Sequence, residues 1–166
     1  NIINSTITII LCSIFITISE SISTKGSDNL SIPLTAFIFI EMFNFLNESK
    51  SIIQFSLTIS IIICSLFYFY RKNHLSLSGF LSASLMAALI TGLGGSLYLI
   101  PIIIFFISST TISKLGNNTK HKGSINRSVS QVISNGGIPL LICIINHFYQ
   151  DDILYYAFLA SVAAAN

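Results

Sequence analysis

Between Ile52 and Tyr70 the chain reads "IIQFSLTISIIICSLFYFY", an apolar run with no charged residue that ends at Arg71 and Lys72. A helix of about 20 such residues spans the hydrocarbon core of a bilayer, and a helix is one of the few structures that satisfies its own backbone there. Working outward, similar runs lie at Ile2–Ile18, Ile32–Phe45, Leu75–Gly92, Leu97–Ile112, Val129–Phe148 and Ile153–Ala165. The second and the last are short, so the second is expected to be an interfacial or tilted segment and the last to be cut off by the end of the chain. Hydrophobic residues make up 52% of the 166 residues and charged ones 8%, with a mean hydropathy of +0.81. A soluble domain carries about 25% charged residues. The expected fold is therefore all-α: a polytopic integral membrane helix bundle of about six to seven transmembrane helices.

A net charge of +2 is too small to suggest a nucleic-acid partner, so the location of the charges matters more than their sum. If all seven runs cross, the segments after the first, third and fifth hold Lys25, Arg71, Lys72, Lys114, Lys120, Lys122 and Arg127, and the opposite side holds only Lys50. Lys and Arg accumulate on the cytoplasmic side of spans. A multi-pass protein of the cell membrane is expected, with loop 113–128 cytoplasmic and Asp151 and Asp152 on the far face. Cys12, Cys64 and Cys143 each sit inside an apolar run without paired spacing and read as buried, inert residues. The chain begins with Asn and stops at Asn166 after a short alanine-rich run, and is read as a fragment of a longer frame.

In the fourth run, "GFLSASLMAALITGLGG", small residues recur every four positions at Gly79, Ala83, Ala87, Thr91 and Gly95, with Ser84, Ala88 and Gly92 on a neighbouring row. That spacing lets helix backbones approach closely in lipid. Gly92, Gly94 and Gly95 are expected to end the helix.

The stretch from Lys122 to Pro139, "KGSINRSVSQVISNGGIP", brings polar residues into the sixth run. On a helix beginning near Ser124, Arg127, Gln131 and Asn135 stand at i, i+4 and i+8, a drift of only about 80° around the axis. Polar groups in a membrane are costly unless they face the bundle interior or a wet cavity, which makes this stripe a candidate site. Two readings are open for the amides: a site, or hydrogen-bonding glue between helices. Pro139 has no N–H for the carbonyl of Asn135, and Gly136 and Gly137 precede it, so a broken backbone lining a cavity is expected. Lys114, Lys120, Lys122 and Arg127 gather at the mouth of this helix, where cations and exposed N–H groups suit phosphate. The positive-inside rule alone also accounts for cations here. Glu41, inside the second run, is expected to be wet at the interface.

Four stretches, "LSLSGFLSASLMAALITGLGG", "FFISSTTISKLG", "KGSINRSVSQVISNGGIPLL" and "AFLASVAAAN", resemble in order and spacing the transmembrane protein 19 family, also called domain of unknown function family 92, which includes plant phytyl-phosphate kinase. The KG...R...QV..NGG block falls on Lys122, Gly123, Arg127, Gln131, Val132, Asn135, Gly136 and Gly137, and the Ser-Ser...Lys block on Ser108, Ser109 and Lys114. The resemblance covers residues 75–166, the N-terminal part of the family's conserved membrane domain, and leaves residues 1–74 as membrane spans without a motif. It implies a CTP-dependent kinase of isoprenoid (prenyl or phytyl) monophosphates, with Mg²⁺ and CTP as cofactors and membrane lipid as surroundings. In that scheme Lys114, Lys122 and Arg127 hold phosphates, while Gln131, Asn135 and the backbone at Gly136 and Gly137 orient the head group. The family's acidic motif would follow Asn166, so no metal ligand is expected within this chain. The alternative from the residues themselves is a transporter or flippase for a small anion or lipid phosphate.

Overall fold

The computed structural model describes residues 2–23, 26–48, 52–116 and 127–165, with side chains at 4–23, 26–47, 52–112 and 127–165. Among these residues there are seven helices and no strand: α1 (Ile2–Ile22), α2 (Asp28–Glu48), α3 (Ile52–Arg71), α4 (Leu77–Gly94), α5 (Ser96–Gly116), α6 (Val129–Tyr149) and α7 (Asp152–Ala164). Each apolar run is one helix. Five of them, α1, α2, α3, α4 and α6, are long and apolar enough to cross a membrane among the described residues.

The second run is longer than its sequence suggested, because polar turns at both ends, Asp28–Ser31 and Asn47–Glu48, continue the helix to 21 residues. Glu41 consequently lies about two turns inside the C-terminal end of a full-length span. Its side chain is half-buried.

α4 is the hub. It packs against α6, α3, α1, α5 and α2, and 56% of its spanning window is buried, against 11–28% for the other four candidate spans. The helix begins at Ser76, whose hydroxyl accepts the Gly79 N–H at 3.0 Å, and closes at Gly95, which takes a φ of 73° and donates its N–H to Thr91. Both are standard terminators. Gly92 remains helical rather than ending the helix: a Cβ there would fall 2.0 Å from Met42 Sδ on α2. On that flank Phe15, Phe39, Phe43 and Phe55 form a chain of ring contacts that docks the N-terminal helices. On the other, Tyr98 packs on Phe158 with ring centroids 4.6 Å apart.

The outer surface is apolar, with Leu30, Ile61, Leu97 and Ile153 all well exposed, as expected where lipid is the solvent. Many hydroxyls on these helices bond the carbonyl one turn back, as Ser56 does to Ile52 and Ser60 to Ser56, each at 2.7 Å. A serine-rich sequence thus enters lipid with its donors satisfied. Cys143 is buried, but Cys64 is exposed and Cys12 is intermediate, so the expectation of three buried thiols fails at Cys64, which α3 turns outward.

Candidate functional site

The segment before α6 is tied to the start of α4. Leu75 and Arg127 form a parallel bridge: the Arg127 N–H donates to the His74 carbonyl at 3.1 Å, and the Arg127 carbonyl accepts from the Ser76 N–H at 3.0 Å and the Ser76 hydroxyl at 3.1 Å. Gly79 makes room for this. A Cβ at Gly79 would lie 2.0 Å from the Arg127 carbonyl oxygen, so a position that reads as helix-packing glycine is where another backbone enters.

Arg127 is therefore not the first turn of a helix, as its spacing to Gln131 suggested. α6 starts at Val129 after an extended Ser128, and the Gln131 Oε1 accepts the Ser128 N–H at 3.2 Å. Ser-x-x-Gln is a capping-box pattern, a local signal that marks this start in the sequence. Gln131 has a structural bond as well as a place in the polar stripe.

The bridge aims the Arg127 guanidinium at α5. Nη2 donates to the Ser109 hydroxyl at 2.8 Å, and Cζ stands 5.2 Å from the centroid of the Phe106 ring. Cation–π and hydrogen-bond contacts fix the group in place. Among the described residues no carboxylate pairs with it, and burial lowers it from its ordinary value. Burial here works against the positive charge, so an anion at the guanidinium would offset that cost.

Arg127, Gln131, Asn135 and Gly136 all line one cavity of about 320 Å³ between α3, α4, α5 and α6, with Val162 of α7 also on its wall. Among the described residues the rest of the lining is almost wholly apolar, with Ser65 the one other polar side chain and no Asp or Glu. The stripe and the cavity expected from the sequence thus meet. The broken backbone does not appear: α6 is continuous from Val129 to Tyr149 with Pro139 inside it, and neither Gly136 nor Gly137 has a positive φ. Their N–H groups lie within the helical ladder. A Cβ at Gly136 would meet Met86 Sδ of α4 at 2.2 Å, whereas one at Gly137 would meet only Ile133 of its own helix at 3.6 Å. Close packing of α4 on α6 holds the helix through the Gly-Gly-Ile-Pro sequence, at the cost of the single bond that Pro139 cannot make.

Gly137 does not line the cavity. Lys114 lies in the last turn of α5 by its backbone, its side chain being outside the described residues, as are Lys122 and Asn166 altogether. Sequence reasoning missed the roles of Ser109, Phe106 and Gly79. The Ser-Ser pair was visible, but which hydroxyl meets Arg127 depends on how α5 is rotated. Arg71, Lys72 and Arg127 lie at this end of the bundle, while Asp151 and Asp152 lie at the other, beside Asn146, which receives the Asp151 N–H at 2.9 Å.

A family model described as Integral membrane protein DUF92 matches residues 60–166, more than half of the chain and beginning inside α3. No curated protein and no solved structure matches the chain.

Proposed function

This chain belongs to the integral membrane protein family DUF92, and we propose that its cavity binds an isoprenoid monophosphate, phosphate at Arg127 and chain in the apolar slot, for phosphoryl transfer from CTP. One observation carries the binding half. A half-buried guanidinium without a carboxylate partner among the described residues stands at one end of a cavity whose described lining is otherwise apolar except for Gln131, Asn135 and Ser65. An anion with a long apolar tail is the ligand that satisfies both parts. Arg127 and Ser109 would hold the phosphate, and the amides of Gln131 and Asn135 would orient it.

The transfer half rests on the resemblance to the phytyl-phosphate kinase family. Phosphoryl transfer needs positioning and charge neutralisation more than covalent chemistry, and Lys114 and Lys122 would add positive charge to Arg127. The described residues do not fit a Mg²⁺ site: no Asp or Glu lines the cavity, and no three metal-ligating side chains come together among them. The cationic end is proposed to face the cytoplasm, on the positive-inside rule.

The alternative, a transporter or flippase for a small anion or lipid phosphate, drew its support from an interrupted helix beside a cationic mouth. With α6 continuous, only the mouth supports it. Membranes carrying the protein, given labelled CTP and prenyl monophosphates of several chain lengths, separate the two. The kinase proposal expects CTP- and Mg²⁺-dependent prenyl diphosphate, with kcat/KM lowered about 100-fold or more by Arg127→Ala and less by Asn135→Ala, on the scale of one lost charge-assisted contact. Unchanged insertion and expression of both variants would assign the loss to the site. No diphosphate product at any chain length sinks it, and movement of prenyl phosphate across the bilayer without CTP consumption favours transport.

A further inference from the structure

The cavity is closed on one side and open on the other. On α4 and α6 its walls are the buried Ala87 and Gly136 and the half-buried Ala83 and Asn135. On α3 and α5 they include Ile61, Ile103 and Ile107, which line the cavity yet remain 69%, 41% and 52% exposed. These residues face two ways because α3 and α5, although both border the cavity, do not pack along their length. Where they meet, at the cationic end, the Phe69 ring stands edge-on to Phe106 with centroids 5.2 Å apart. Phe106 is the same ring that carries the Arg127 guanidinium.

We propose that the seam between α3 and α5 is a lateral entry for one lipid chain, admitted from the bilayer, and that the Phe69–Phe106 pair closes the seam beneath the cation. The proposal rests on the reading that the occupant is an amphiphilic phosphate. Charge complementarity selects that occupant. Among the described residues the only charged group on the cavity is Arg127 at its end, and the seam itself is apolar apart from Ser65. A tail can therefore slide in from lipid without losing apolar surroundings, while its head meets a cation that has no carboxylate partner among the described residues. A ligand arriving from water would have to pass the ring pair and Arg127 before reaching the slot.

The chain has no Trp, so a single introduced indole is a clean reporter. Ile102→Trp places it on the cavity wall, and Ile104→Trp on the outward face of the same helix. The full chain in phosphatidylcholine vesicles is titrated with an alkyl monophosphate brominated along its tail, and with the matching brominated alcohol. Saturable quenching of the wall reporter by the phosphate, weakened about tenfold or more by Arg127→Ala and absent with the alcohol, is expected, whereas the outward reporter should follow bulk mole fraction only. On mixing with donor vesicles, filling the seam by Ser65→Phe with Ile103→Phe should slow quenching of the wall reporter at least about tenfold, and Phe69→Ala should speed it, as a gated association requires. Saturable quenching whose rate neither seam variant alters would overturn lateral entry and leave the phosphate reading standing. Quenching at the wall no more saturable than at the outward face would overturn both, meaning that a further segment or a second copy fills the cavity.

Discussion

The α4–α6 wall of the cavity and its α3–α5 wall are made from similarly apolar segments, yet the first is packed at backbone distance and the second stands apart. Glycine and alanine account for the difference. Gly79 admits the Arg127 carbonyl and Gly136 admits Met86, so α4 and the α6 region close on each other. On the other wall bulky Ile61, Ile103 and Ile107 line the cavity and remain exposed to the surroundings. In lipid there is little hydrophobic drive to bring helices together, so contact goes to surfaces with small residues and bulky aliphatic surfaces are left to the solvent.

The packed wall is most sensitive at Gly79. Gly79→Ala drives a Cβ into the backbone oxygen of Arg127, a neighbour with no freedom to turn aside. Unfolding in detergent should show a loss of about 1–3 kcal/mol, together with weaker alkyl-phosphate binding because the Arg127 segment must shift. Wild-type stability in this variant would mean that the two segments are not tied as described. A smaller effect is expected from Gly136→Ala, since the atom it meets is the end of a flexible Met86 side chain. A loss of about 1 kcal/mol, recovered when Met86→Ala is added, is the expected double-mutant result; strict additivity would show that α4 and α6 are farther apart. Smallest of all, Gly137→Ala touches nothing but Ile133 at van der Waals distance and should be neutral or stabilising by up to about 1 kcal/mol, from helix propensity alone. Loss of catalytic activity in that variant with stability intact would show that the head group does need the backbone at Gly137.

The adjacent glycines of the Asn-Gly-Gly block illustrate where reading the sequence succeeds and where it stops. Both looked like a break in α6, because two glycines followed one residue later by Pro139 weaken a helix in isolation. One is a packing contact and the other is not, a distinction that depends on which side of α6 faces α4. The stripe Gln131–Asn135 was legible because helical spacing is a property of the chain itself. Arg127 joined the same cavity by another route, an extended bridge to Leu75 that is 52 residues away in sequence and has no local signature.

Composition and the seven apolar runs determined by themselves that this is a helical membrane bundle, and nearly where each helix lies. In lipid every backbone group must be satisfied within its own segment, so length and hydropathy leave little else possible. Family membership likewise followed from motifs within the chain. Tertiary structure alone decided that Ser109 and Phe106 hold Arg127, that Gly79 is a doorway for another backbone, and that the cavity opens between α3 and α5. Those facts depend on the rotation of each helix about its axis, which is set by side-chain packing between segments far apart in sequence and which no local pattern encodes.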